Sequence, residues 1–336
     1  MVGSSMHQVK TGLSFLRQRA FVRFCSGYTS AANALTDRKE VVPNAAIAFN
    51  AEKGRQWSLI SRIEKVQVRF KGIPKDCTML MNKLQSTPFD CAKHLSENWM
   101  KRAAIAEVDG KPWDMHRPLE SDCELRLISL DAPDAALTEA NAAFWRSCAM
   151  MLGAVASSSF KSEIRSFPYS FPPPNVRSGS FVYDVVLEGL ESWSPSKDEL
   201  RLMSTQMVKL AGKNFPFEFL RVTAERAQEI MRDNPFKVAQ LPSIAAANNG
   251  QVTLYKVGNY VDISKGPMIG RTGQLGRCTV TAVRKHEIEG GPSLYRFQGV
   301  ALPSNIMLNH FAYGLIEERG RKLNPAKMPT AVPSLS

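Results

Sequence analysis

Two stretches hold side chains at a spacing that could serve chemistry. In residues 144–153 (FWRSCAMMLG), Arg146 and Met150 stand four apart and share one face of a helix. In residues 261–268 (VDISKGPM), Ser264 and Met268 are again four apart. Neither stretch supplies an acid–base pair. An arginine stays protonated at physiological pH and cannot serve as a base, and a thioether is at best a weak acceptor. The four side chains therefore offer neither a general base nor a metal site, and methionines at such positions read equally well as core filling. Elsewhere, six cysteines are scattered without a Cys-x-x-Cys pair, and with five histidines they show no metal-ligand spacing. This pattern fits free thiols in a reducing compartment rather than a secreted disulfide scaffold. Gly270, Gly273 and Gly276 are not spaced as a phosphate-cradling loop and read as turn residues before a strand.

The elements that must position these residues are legible in outline. Ala140, Phe144, Cys148, Met151 and Val155 follow the three- and four-residue spacing of a helix over 137–160. Upstream, residues 63–70 alternate with Val66, Val68 and Phe70 on one side of a strand. Thr87 and Pro88 start a helix that reaches about residue 98, with Asp90 in its first turn. Apolar residues 104–108, the turn pair Asp109-Gly110 and residues 125–130 complete a hairpin and a closing strand. Strands and helix in this order suit a small β-grasp unit. Farther along, residues 194–199 open a helix carrying Leu200, Met203, Met207 and Leu210, and strands are expected at 278–283 and 295–302. A short helix is expected at 51–60.

Charge adds a partner class. The chain has 336 residues, 44% of them hydrophobic, and a formal net charge of +12 with a pI of about 9.5. Such an excess attracts polyanions and favours nucleic acid through counterion release. No apolar run approaches the length of a membrane span, so no membrane partner is expected. Residues 1–35 contain no acid, while Lys10, Arg17, Arg19 and Arg23 alternate with apolar residues. This is a mitochondrial presequence pattern, with cleavage expected after Cys25. At the other end, Arg319, Arg321, Lys322 and Lys327 mark a basic tail that lacks a core pattern and supplies the candidate RNA-binding residues.

Several phrases also resemble one family in one order. Residues 108–112 (VDGKP) with 117–125 (RPLESDCEL) resemble the TGS domain of threonyl-tRNA synthetases. In the editing domain of those enzymes and of alanyl relatives, the helix motif is His-Ser-x-Ala-His; here Ser147 and Ala149 match and Arg146 and Met150 replace the histidines. Residues 181–184 (FVYD), 215–218 (FPFE) and 233–237 (DNPFK) resemble further motifs of that domain. Residues 262–268 resemble Asp-Leu-Cys-Arg-Gly-Pro-His, with Ser264 and Met268 in place of cysteine and histidine. The resemblance covers about 61–312. It implies an α+β chain: presequence 1–25, N-terminal extension 26–60, TGS-like β-grasp domain 61–131, editing-like domain 132–312 and basic tail 313–336.

An editing site needs groups that bind a mischarged aminoacyl end and help water attack its ester. All four such positions are degenerate here, so no catalytic residue, cofactor, metal or small-molecule substrate is expected. No class II aminoacylation core follows, and amino-acid activation by the family's route is not expected either. The resemblance extends to a synthetase-derived family of mitochondrial large-subunit ribosomal proteins. The implied function is structural, in mitochondrial translation, with large-subunit rRNA and neighbouring ribosomal proteins as partners. A free-standing deacylase acting on mischarged tRNA, or a tRNA-binding regulatory module, is the alternative.

Overall fold

A computed structural model describes residues 42–132, 136–190 and 192–329. The expected presequence, and residues 26–41 of the extension, lie outside the described residues. Helix α1 (Asn44–Ser58) starts seven residues earlier than the sequence suggests, because Ala46 and Phe49 pack into a core built by distant strands. Glu52, only 1% exposed, is held by Arg55 and Arg226.

The first sheet has strands β1 (Lys65–Phe70), β2 (Cys77–Asn82), β3 (Ala103–Val108), β4 (Lys111–Trp113) and β5 (Cys123–Ser129), ordered β2-β1-β5-β3-β4. β5 returns parallel to β1 and every other pairing is antiparallel, which is β-grasp topology. Helix α2 (Pro88–Leu95) begins with a capping box between Thr87 and Asp90 and packs Cys91 and Ala92 against Val66, Val68 and Phe70. It ends sooner than the sequence suggests, since Ser96 caps a separate helix α3 (Glu97–Arg102). Asp109 and Gly110 both have positive φ at the β3–β4 turn, as a two-residue hairpin requires.

β3 is buried on both faces, and the chain at the end of β5 turns apolar side chains to both. Leu125 and Leu127 join the β-grasp core, while Ile105, Ile128 and Leu130 join a larger one. That larger core surrounds helix α4 (Ala136–Ser158), in which every residue from Ser147 to Gly153 is buried. On one side lies a four-stranded antiparallel sheet of β6 (Arg165–Ser170), β7 (Phe181–Glu188), β11 (Leu275–His286) and β12 (Leu294–Pro303), ordered β11-β12-β7-β6. Helix α5 (Lys197–Gly212), closed by a Ser196–Glu199 capping box, adds Met203 and Met207. A third sheet of β8 (Phe217–Thr223), β9 (Gln251–Val257) and β10 (Tyr260–Ile263) packs against α1, α6 (Ala224–Met231) and α7 (Pro235–Ala246).

The basic C-terminal segment differs from its reading as a patternless tail. Residues 310–321 form helix α8 (His310–Arg321), whose Tyr313 and Gly320 are buried against β11 and β12. Two inward positions seven apart give too thin a periodic signal to find from sequence. Residues 322–329 then run as a strap over the four-stranded sheet. Asn324 is buried and donates to Ser180 O and Oγ, and Arg296 donates to Ala326 O at 2.6 Å.

Candidate functional site

The two stretches that could serve chemistry do meet. α4 presents Ser147 toward the loop after β10, where its hydroxyl donates to Ala143 O (2.8 Å) and accepts from Ile269 N–H (2.9 Å). The Met268 sulfur stands 3.5 Å from the same oxygen. Arg146 donates to Pro267 O at 2.7 Å, tying helix to loop, and burial lowers its pKa from the ordinary arginine value. Met150 and Met268 are 0% and 1% exposed within the apolar core. Ser264 is half-buried, and its hydroxyl lies 3.4 Å from Gly266 N. At Gly266, φ is +66° and a Cβ would fall 1.7 Å from the Tyr255 hydroxyl, so only glycine fits. The arrangement is a packed joint between helix and loop. None of Arg146, Met150, Ser264 and Met268 carries an imidazole or a thiol, and Cys148 of the same helix is buried in the core.

The room beside it is small. The cleft lined by Trp145, Arg146, Ala149, Phe181, Asn324 and the proline-rich turn at 172–174 has about 20 Å³ for water-sized occupants, space for about one water. The strap residues Asn324 and Ala326 form part of its wall.

Two polar clusters surround the joint. Lys237, from α7, lies 2.5 Å from Asp262 Oδ1, and both side chains are almost wholly buried. Asp262 also accepts from Tyr183 O–H and from Ile263 N–H, and the Tyr260 hydroxyl is 3.1 Å from its Oδ2. Burial, with Asp262 beside them, holds both phenols well above their usual pKa range, so they remain donors. The second cluster joins the β-grasp unit to the rest. Asp114 accepts from Met268 N–H (2.8 Å) and Tyr255 O–H (2.9 Å), and burial raises its pKa to about 6. His116 Nε2 is 2.8 Å from Gly270 O; burial lowers the His116 pKa to about 4, so the ring is neutral at physiological pH and donates. Among the described residues, no group of three or more His, Cys, Asp or Glu could hold a metal ion.

The sequence located Lys237 and Asp262 within motifs but did not pair them. It missed Asp114 and His116 altogether, because a loop between β4 and β5 carries no periodicity. The available signal was the set of motifs that contain Tyr183, Lys237 and Asp262.

The four basic candidates lie elsewhere, around the end of α8. Arg319, Arg321, Lys322 and Lys327 are all exposed. Arg319 donates to Arg177 O at 2.6 Å, the Arg321 carbonyl accepts from Arg284, and the Lys322 carbonyl accepts from Gln298 Nε2. None of the four forms an ion pair with a carboxylate among the described residues. No helix of the described residues is long and apolar enough to cross a membrane.

Comparison with known proteins places this geometry in a family context. A TGS domain model matches residues 71–129. Large ribosomal subunit protein mL39 of Drosophila melanogaster is 45% identical over 323 residues, 95% of this chain and 94% of its own length. Cytoplasmic threonine–tRNA ligase 2 of Homo sapiens is 29% identical over 67% of this chain. Threonine–tRNA ligase of Thermotoga maritima is 29% identical over 71% of it. The chain spans only 26% and 36% of those two ligases.

Proposed function

The chain belongs to the mL39 family of large ribosomal subunit proteins, and from that membership we propose that it is a non-catalytic, structural component of the mitochondrial ribosome's large subunit. The match runs nearly end to end in both chains, and this single observation carries the reading. The site supports it: where a hydrolytic centre would need a base, Arg146 is spent on Pro267 O and Met150 and Met268 fill core. The domain organisation belongs to the same proposal, with a presequence at 1–25, an extension at 26–60, a TGS-like domain at 61–131, an editing-like domain at 132–312 and a basic terminal segment at 313–336. Its working place is the mitochondrial matrix.

Its partners in this reading are large-subunit rRNA and neighbouring ribosomal proteins. Arg319, Arg321, Lys322 and Lys327 are the proposed phosphate contacts, supported by their exposure at one end of α8 and along the strap. Phosphate contacts supply affinity and orientation rather than sequence choice. Replacing all four by glutamine should weaken RNA binding and flatten its salt dependence, since each lost contact removes about one unit or less from the log–log slope. Unchanged incorporation of that variant into the large subunit would sink the assignment. Sucrose-gradient sedimentation of mitochondrial lysate tests the reading itself, with the protein expected to travel with the large subunit. Hydrolysis of mischarged tRNA that Ser264→Ala abolished would overturn it in favour of a deacylase.

A further inference from the structure

Helix α8 has a face that no described residue covers. Phe311 is 76% exposed and Leu315, one turn on, 53%; Met307, four residues before Phe311, is 93% exposed. Neighbouring Ile306 and Leu308 are also exposed. Single exposed apolar residues are ordinary, but five large ones within ten positions mark a contact surface.

A glycine on the same helix says what kind of contact. α8 contains two, and they differ. At Gly320 a Cβ would come within 2.3 Å of the Val300 side chain, so packing against the sheet requires glycine. At Gly314 a Cβ would meet nothing within 4 Å, and its backbone is not in the left-handed region. Internal packing gives no reason for glycine there, and the helix loses stability by it. Three residues after Phe311, Gly314 leaves bare backbone as a shallow notch beside the ridge of Phe311 and Leu315. Another helix can seat its own ridge in such a notch at close range.

The surface also has a charged boundary. At Leu315 the surface runs into a groove of about 430 Å³ lined also by Ser178, Glu318, Arg319, Lys322 and Leu323. Two cations face one carboxylate there. We infer that the exposed face of α8 docks an amphipathic helix of a neighbouring ribosomal protein, its apolar ridge crossing Gly314 and its acidic end lying toward Arg319 and Lys322. This rests on the ribosomal reading above. Arg319 and Lys322 line this groove, so their charge is shared between the proposed phosphate contacts and the docked helix. An apolar core with a charged rim is the usual build of a protein interface, whereas Met307, Phe311 and Leu315 offer nothing to a phosphate.

The test uses the full chain expressed in mitochondria with the photoreactive substitution Phe311→benzoylphenylalanine. After irradiation, large subunits are collected on a gradient and the adduct is digested with nuclease or protease. The expected product resists nuclease and maps to one helical peptide bearing carboxylates, from a large-subunit protein. Gly314→Leu in the same chain should cut its yield at least about tenfold by filling the notch, while circular dichroism stays unchanged. A nuclease-sensitive adduct would make the occupant RNA, and an adduct to a second copy of this chain would make the face a dimer contact; either overturns the inference. Absence of any adduct from a chain that sediments with the large subunit overturns the inference alone. A chain that does not sediment there removes the ribosomal reading and the inference with it.

Discussion

Arg296 joins the four-stranded sheet to the strap, and removing it should show how far the C-terminal segment is part of the fold. Its guanidinium forms two parallel hydrogen bonds to Asp184, both 2.8 Å, and reaches Ala326 O at 2.6 Å and Lys327 O at 3.4 Å. Arg296 and Asp184 are 2% and 0% exposed. Arg296→Met keeps a long side chain but leaves the Asp184 carboxylate buried without its cation, which costs about 3–5 kcal/mol. The strap carbonyl of Ala326 also loses a charged donor, worth about 1.5–3 kcal/mol. These effects overlap, so a total near 5 kcal/mol is a fair expectation. At about 2–4 °C per kcal/mol for a unit of this size, Tm should fall by about 10–20 °C. The assay is thermal unfolding of the full chain, with hydrogen exchange by mass spectrometry reporting on residues 322–329. Exchange there should rise in Arg296→Met even below the transition. The double variant Asp184→Leu/Arg296→Met removes both charges and should recover most of the lost Tm, because a buried pair replaced whole is often neutral. Its strap should still exchange fast, since the carbonyl donor is gone. A single variant within about 2 °C of the parent, or a double variant no better than the single, would refute this account.

Asp114 predicts a pH effect of definite sign. Burial raises its carboxyl pKa to about 6 in the fold from an ordinary value of 3.8, so folding takes up a proton between those values. Stability from this group is present below about pH 4 and falls as pH rises to about 6, by roughly 3 kcal/mol. The stability difference between the parent and Asp114→Asn, measured by urea unfolding from pH 4 to 7, should shift toward the variant as pH rises; a flat difference would contradict it. Gly266→Ala should lower Tm, because its Cβ would meet the Tyr255 hydroxyl at 1.7 Å, whereas Gly314→Ala, with nothing within 4 Å, should raise it slightly. Met150→His and Met268→His should each destabilise the chain by about 1–3 kcal/mol by burying an imidazole in a dry core, and should give no hydrolysis of mischarged tRNA. Turnover in either variant would mean the site keeps more of its chemistry than its packing allows.

How much of this was legible before the structure depended on the range of the interactions involved. The β-grasp unit was readable because its signals are local: alternation at Val66, Val68 and Phe70, a cap at Thr87 followed by Pro88, and a turn at Asp109-Gly110. α4 was found, but its burial was understated. The sequence marks one face through Phe144, Cys148 and Met151, whereas residues 147–153 are buried all round because the β-grasp sheet, the four-stranded sheet and α5 enclose it. Lys237 and Asp262 meet across 25 positions, and Asp114 reaches Met268 across 154. Nothing in the chemistry of a single segment encodes such pairings, and Lys237 in particular reads as a solvated cation until its partner is seen. The strap was missed for the same reason, since Asn324 is polar and yet buried by its bonds to Ser180.

The match to the family motifs is uneven, and the geometry explains why. Ser147, Asp262, Gly266 and Pro267 still match the family motifs, and the side chains of the first two hold buried hydrogen-bond partners: Ile269 N–H for Ser147, and Lys237, Tyr183 and Ile263 for Asp262. Replacing any of these would strand a buried donor or charge, at a cost whether or not the site does chemistry. Gly266 is held by the closeness of Tyr255. Met150 and Met268, in contrast, stand where the family motifs have histidine, and both now fill apolar core. A histidine there would need polar partners or water, whereas a methionine needs only volume. The matching positions are thus the ones that satisfy the interior of the fold, and the two methionines are the ones that only fill it. Motif resemblance without the reacting residues is evidence of fold rather than of activity.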